Sequence, residues 1–345
     1  MKLFRKNMPV IRFKGSPVSF DDFLEGLQDA VFRIPDLSTE TEACGFASLS
    51  APEDDSPLLK MEACFDGGWY CGVFRANTKT VATAVVNRLA AAEEKSRLLR
   101  EGKSFLSRVE KRGIKEQVRH DLLSRTEPRV TLIPYFLNLD TGEGYFFSSS
   151  NKMYDMFEGL MERVCGATIS RGGLSDEDKE SLEDFLTYLW WDTEMNSFRT
   201  TAVGDRVVKT WFGDRVYVSD GENSMSAKGV VEEAKMAISR GSDVVKAEIQ
   251  FKYIDDEFER RGVLTRELEF TSLQYPKAIL EAVDEDIEAF LFEFIKYTED
   301  SFKVVDMWAD IHGKAAENGS GISESVRKTW ARGNFCTKLI EGMDI

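Results

Sequence analysis

Apolar residues in this chain recur with two periods. Leu3, Phe4, Met8, Val10, Ile11 and Phe13 form a short β-prone cluster that predicts a first strand. Ser19 with Asp22 three residues on is a capping signal, and Phe20, Phe23, Leu24, Leu27 and Val31 follow at helical spacing. Leu58 to Phe65 and Trp69 to Phe74 flank Asp66-Gly67-Gly68 and predict a hairpin. Thr78 or Thr80 is positioned to cap a helix running to about Arg100, with Val81, Val85, Leu89 and Ala92 on one side. Gly102 and Gly113 predict interruptions, and Ile114, Val118, Leu122 and Leu123 give the next apolar stripe. Pro128 closes this helical stretch.

Arg129 to Leu139 predicts a strand, Asp140 to Gly144 a turn and Tyr145 to Phe147 the returning arm. Ser148-Ser149-Ser150-Asn151 offers caps for a helix carrying Met153, Met156, Phe157, Leu160 and Val164 and ended by Gly166. Past Arg171-Gly172-Gly173, Ser175 with Asp178 begins a helix that ends in Leu189-Trp190-Trp191. Strands are predicted over Arg206 to Phe212 and Arg215 to Val218, around Gly213-Asp214, with a helix over Ser226 to Ser239. Val244 to Ile254 and Val263 to Phe270 predict a longer strand pair, and Asp284 to Ile311 a long acidic helix with Phe290, Phe294 and Phe302. From Gly313 the tail is rich in Gly and Ser, then basic at Arg327, Lys328 and Arg332. The pattern is α+β: antiparallel sheets with helices on one face, plus a projecting helical segment. The expected division is an N-terminal unit of 1–77 with 129–170, a helical excursion over 78–128, a C-terminal unit over 171–312 and a tail over 313–345.

Charge singles out the excursion. Between Thr78 and Arg129, thirteen basic side chains stand against seven acids, a local +6 in a chain whose total is −15. The remaining residues therefore carry −21. Such asymmetry points to a polyanion, although a solvated helix laced with i,i+4 pairs has the same composition. With 345 residues, 42% hydrophobic and 11% aromatic, the chain has material for a real core. Five cysteines without C-x-x-C spacing read as reduced thiols in a cytosolic protein. No apolar run is long enough for a membrane span, and the basic start lacks the apolar core of a signal peptide.

Chemistry leaves little trace. His120 and His312 are 192 positions apart, and neither has metal-ligand neighbours. The P-loop, dinucleotide and G-x-S-x-G patterns are missing from the sequence. A metal-dependent nuclease needs clustered carboxylates, often with a lysine. Glu233-Ala234-Lys235, downstream of Asp214 and Asp220, sits in a predicted helix that splays i and i+2 apart, and Glu267 with Glu269 on one strand face lacks a third ligand. No catalytic residue, metal or cofactor is expected. Phe105 is the one aromatic among the basic residues up to Arg129, which favours a duplex backbone over a single strand as ligand.

The stretch Ile114-Lys115-Glu116-Gln117-Val118-Arg119-His120-Asp121-Leu122-Leu123-Ser124-Arg125 resembles the L-K-x-E-V-x-H-x-L-L-P-R pattern of the recombination-associated protein RdgC family. A strand, the turn at Asp140 to Gly142, a strand and the Ser148-to-Lys152 helix start follow in the same order. The helix after Ser19, Cys44-Gly45-Phe46, and Ser226 to Gly241 with Val244-Val245-Lys246 extend the likeness collinearly over about residues 1 to 310. Ser124 stands where the family has Pro, Thr126-Glu127-Pro128 where it has an Ala-Phe-Ser dimer contact, and Ser242 where it often has Lys. Acidic Asp220-Gly221-Glu222 falls near a family basic pair, whereas Arg125 and Lys246 match.

The resemblance implies a horseshoe-shaped, non-enzymatic protein. As a homodimeric ring it would hold double-stranded DNA without sequence preference and hinder RecA filaments, in the cytoplasm at the nucleoid. The expected phosphate contacts are Arg125, then Lys115, Arg112, Arg97, Arg100, Lys103 and Lys246. Two alternatives stay open: a metal-dependent DNA exonuclease, and a protein-interaction module of phage origin that uses the acidic face around Asp284 to Asp310.

Overall fold

Asn7–Lys14 forms β1, the strand on which the sheet turns. The structure is a computed structural model describing residues 3–33, 41–53, 64–65, 68–172, 185–187, 189–190, 199–203, 205–221, 224–228, 231–282 and 286–317. After β1 come α1 (Phe20–Asp29), β2 (Glu42–Ala47), β3 (Cys64–Phe65), β4 (Trp69–Thr78), α2 (Thr83–Glu101) and α3 (Arg108–Arg125). The chain continues with β5 (Arg129–Asn138), β6 (Glu143–Phe146), α4 (Asn151–Cys165), β7 (Ser170–Arg171), β8 (Arg199–Val203), β9 (Arg206–Ser219) and β10 (Ser224–Lys228). It ends with α5 (Val231–Ser239), β11 (Asp243–Tyr253), β12 (Arg260–Thr265), β13 (Phe270–Gln274), α6 (Lys277–Glu281) and α7 (Ile287–Glu317).

The strands make one antiparallel sheet in the order β10-β9-β11-β12-β13-β1-β6-β5-β4-β2, with β3 on β4, β7 on β1 and β8 on β9. β1 joins its halves. Asn7, Met8 and Val10 pair with β13, whereas Ile11 to Lys14 pair with β6. One apolar core runs through both halves.

Alternation along the strands decides what covers each face. Tyr135 and Phe146 are cross-strand partners, and both lie against Phe157 of α4. Their neighbours Phe136 and Tyr145, also paired, turn the other way and meet Phe294 and Phe302 of α7. On β1, Phe13 goes to Phe157 while Arg12 lies over the Phe302 ring and pairs with Asp306. Helices therefore cover both faces, not one as expected. The alternating pattern of these strands is aromatic on both sides, which leaves neither side for water. Arg171 adds a tie between the halves: its guanidinium grips Glu269 at 2.6 and 2.9 Å and Asn151 at 3.0 Å.

Several local expectations change. Gly213-Asp214 is not a turn. β9 runs straight through it, and the β9–β11 register shifts there, so the extra residues are absorbed as a bulge beside Glu248. Ser224–Lys228 is a strand paired to β9, so the helix expected from Ser226 begins at Val231. Val263 to Phe270 is broken after Thr265 by a turn with Leu268 at φ 60°, and the chain returns as β13. Glu267 and Glu269 thus share no strand face: Glu267 pairs with Arg266, and Glu269 is the buried partner of Arg171. The helix expected at Ser175 lies outside the described residues except for its buried end at Phe185, Leu186, Thr187, Leu189 and Trp190. Most of the Leu58-to-Phe65 strand and the tail with Arg327, Lys328 and Arg332 also lie outside them. No helix of the described residues is long and apolar enough to cross a membrane.

Candidate nucleic-acid interface

β4 ends at Thr78 and β5 begins at Arg129, paired to it. Between them α2 and α3 pack on each other as a hairpin with its own small core of Ala90, Leu106 and Ile114, flanked by Leu98 and Val118. Neither Thr78 nor Thr80 caps α2; Thr78 is sheet, and the N-cap is Ala82, without a side-chain bond. Gly102 does end α2, in the left-handed conformation at φ 63°, whereas Gly113 lies inside α3 with open space around it. Reading Gly113 as a break hides the six helical residues from Arg108 to Gly113 and with them the true face of α3.

The faces of α2 are also reassigned. Val86 and Ala90 are its buried residues. Leu89 and Ala92 are exposed and Val85 half-buried, so the apolar side expected to pack looks outward instead. With Leu99, 86% exposed, these residues form a row at four-, three- and seven-residue spacing, with Ser96 at the step between Ala92 and Leu99.

Five of the basic side chains are held by acids. Arg97 bonds Glu101 at 2.8 Å, Arg100 lies 3.7 Å from Glu93, and Lys103 bridges Glu101 at 2.9 Å and Glu110 at 3.0 Å. Lys111 lies 3.7 Å from Glu94, and Arg112 bonds Glu116 at 2.8 Å. These bonds raise the Arg97 and Lys103 pKa values, and bonds from Lys103 and Arg97 lower that of Glu101. Lys79 is buried, and its ammonium reaches the Leu123 carbonyl at 3.4 Å, anchoring the end of α3.

A different set remains. Arg88, Lys95, Arg108, Lys115, Arg119, Arg125 and Arg129 are exposed and make no ion pair or side-chain hydrogen bond with another described residue. Four cations of α3, at 108, 112, 115 and 119, fall at i, i+4, i+7 and i+11. At 100° per residue they occupy a sector about 60° wide and rise about 16 Å along the axis. Ile114 and Val118 face α2 from the sector roughly 110° away. Arg108 is the first residue of α3, where the helix dipole disfavours a cation.

Of the seven expected contacts, Arg112 and Lys115 lie on this stripe. Arg97, Arg100 and Lys103 are tied to acids on α2 and at its end. Arg125 is exposed in the last turn of α3, about 100° around from the stripe, and Lys246 is exposed on β11 of the other half-sheet. Arg108 and Arg119 complete the stripe and were not singled out by the sequence. Their signal was the four- and three-residue spacing, readable once Gly113 is allowed inside the helix.

The carboxylates weighed for metal chemistry are dispersed. Glu269 is bound to Arg171, Glu233 is exposed on α5, and no group of three or more His, Cys, Asp or Glu residues among the described ones could hold a metal ion. No family model matches the chain, and no curated protein matches it.

Proposed function

We propose that the α2–α3 hairpin is a DNA-binding arm and that the protein acts by binding, not catalysis, on double-stranded DNA without sequence preference. The observation that carries this reading is the α3 stripe: Arg108, Arg112, Lys115 and Arg119 share one outward face, and among the described residues only Arg112 has an acidic partner. Cations spaced about 5 Å apart along a rod suit the phosphates of one strand and read no bases. The likeness to the RdgC family supports the finer reading of a homodimeric, horseshoe- or ring-shaped protein at the nucleoid that opposes a RecA-type recombinase. The outward row of Val85, Leu89, Ala92 and Leu99 on α2 offers a face for the second copy.

The test is a titration of unrelated duplexes and matched single strands at two salt levels, with and without magnesium. Duplex binding that is independent of sequence and weakens steeply with salt supports the proposal. Magnesium-dependent loss of labelled DNA would establish the exonuclease alternative. Retention of a protein partner without retention of DNA would establish the interaction module.

A further inference from the structure

The turn between α2 and α3 is braced from both sides, yet it holds an aromatic ring in water. Gly102 adopts the left-handed conformation, and the Lys103 N–H returns to the Leu98 carbonyl at 3.2 Å. The Lys103 ammonium bridges Glu101, before the turn, and Glu110, after it. Ser107 accepts from the Glu110 N–H at 3.2 Å while the Ser107 N–H donates to the Glu110 carboxylate at 2.8 Å, a complete capping box. Leu106 plugs the hairpin core at 6% exposure. Its neighbour Phe105 is 76% exposed.

A floppy loop would let such a ring fold back, since burying a phenyl is worth about 2–3 kcal/mol. Here Lys103 and Leu106 are fixed on either side of it, so the ring is presented outward. An exposed phenyl beside a row of cations suits a surface that is flat, apolar and surrounded by negative charge. Arg108, unpaired, is three residues on, and the stripe continues from there.

Two anionic partners have that chemistry, a nucleic acid and a lipid surface. The axial spread of the cations separates them. With the tip set into a membrane, Arg119 would stand about 16 Å beyond Arg108, about two screening lengths from the plane. A duplex lying along α3 engages all four cations while the tip reaches a base step. We propose that Phe105 is a base-stacking wedge, and that the ligand is duplex DNA with an accessible base: a bulge, a gap or a junction with a single strand. This rests on the reading of the hairpin as the DNA-binding arm.

The experiment uses the full chain and two probes, an intact duplex and the same duplex with a one-base bulge flanked by 2-aminopurine. The parent should prefer the bulged probe and change the fluorophore's stacking signal on binding. Phe105→Ala should lower affinity for the bulged probe by about 5- to 150-fold, with the salt slope unchanged, as expected for loss of one stacked base. Phe105→Trp should restore the preference. An alanine variant that keeps both preference and signal overturns the wedge while leaving the arm intact. A parent that binds neither probe, or binds only vesicles of anionic phospholipid, overturns both readings. If Phe105→Ala instead dissolves a dimer in light scattering and keeps the base preference, the ring belongs to a protein contact and the wedge is refuted.

Discussion

Replacing Arg108, Arg112, Lys115 and Arg119 together by glutamine removes the whole α3 stripe and touches no buried group. Each phosphate neutralised by a cation contributes about −0.9 to the slope of log affinity against log salt. Four contacts therefore contribute about −3.6. Between roughly 50 and 200 mM salt, the parent should lose about 150-fold more affinity than the variant. The assay is fluorescence anisotropy with two unrelated duplexes, which should respond alike because phosphate contacts carry no sequence information. The control is Arg97→Gln with Arg100→Gln, cations already held by Glu101 and Glu93, which should move the slope by clearly less than two full contacts would. Unchanged far-ultraviolet circular dichroism excludes unfolding. The reasoning is refuted if the quadruple variant keeps the parent's slope, or if the control lowers it as much.

The Glu110 carboxyl is held at about 2, below the usual 4.5, by the Ser107 N–H and then by Lys103 and the Ser107 hydroxyl. A depressed acid stabilises above its unfolded value and loses that contribution as the pH falls, so the turn should hold down to about pH 4.5 and loosen toward 2. Carbon-13 titration should place Glu110 near 2 in the parent and closer to its usual value in Lys103→Ala. Gly102→Ala meets no side chain but forces a residue with a Cβ to φ 63°, and should cost about 1–2 kcal/mol of hairpin stability by hydrogen exchange. Glu269→Ala leaves the partly buried Arg171 without its bidentate partner; a loss of about 3 kcal/mol in urea denaturation is expected, and no loss would show the halves are held by the apolar core alone. Gly45→Ala sets a Cβ against the Phe32 backbone, which has no side chain to move aside, and should lower the melting temperature.

What could be read before the fold was known follows from where the deciding forces lie. Ser19, Ser150 and Gly166 act on groups within four residues, so their helix ends stand in the sequence. The β5–β6 turn at Asp140 is equally local, closed by Asn138 accepting from the Asp140 and Thr141 N–H groups at 3.0 Å. Errors arose where a distant partner decides. Gly213 reads as a turn until Glu248 on β11 is seen to occupy the space of its missing side chain. Ser224–Lys228 reads as helix until β9 offers it a ladder. The outward row on α2 fits a packing face in every local respect; only the position of α3, against Ala90 and Leu98, turns it toward solvent. The stripe is hidden for the opposite reason: Gly113 reads as a break, and an 18-residue helix with a complete capping box overrides it.

The same geometry removes the apparent conflict between an acidic protein and an anionic ligand. The charge outside Thr78 to Arg129 is −21, and a duplex laid on an evenly mixed surface of that sign would be repelled. Repulsion between exposed charges fades over about 8 Å in physiological salt. The 19 residues of α2 and the 18 of α3 make the hairpin about 27 Å long, more than three such lengths. Cations near its tip therefore act on a phosphate almost as if the body were absent, while the body's charge discourages DNA from lying elsewhere on the molecule. Acid on the body and base on the arm are then complementary: the first discourages unproductive contact, and the second leaves one face from which a strand can be held. Shortening both helices by two turns, with the stripe and the turn retained, should bring the cations into the body's field and weaken duplex binding most at low salt, where screening is longest. Equal affinity of the long and short hairpins at low salt would show that reach plays no part.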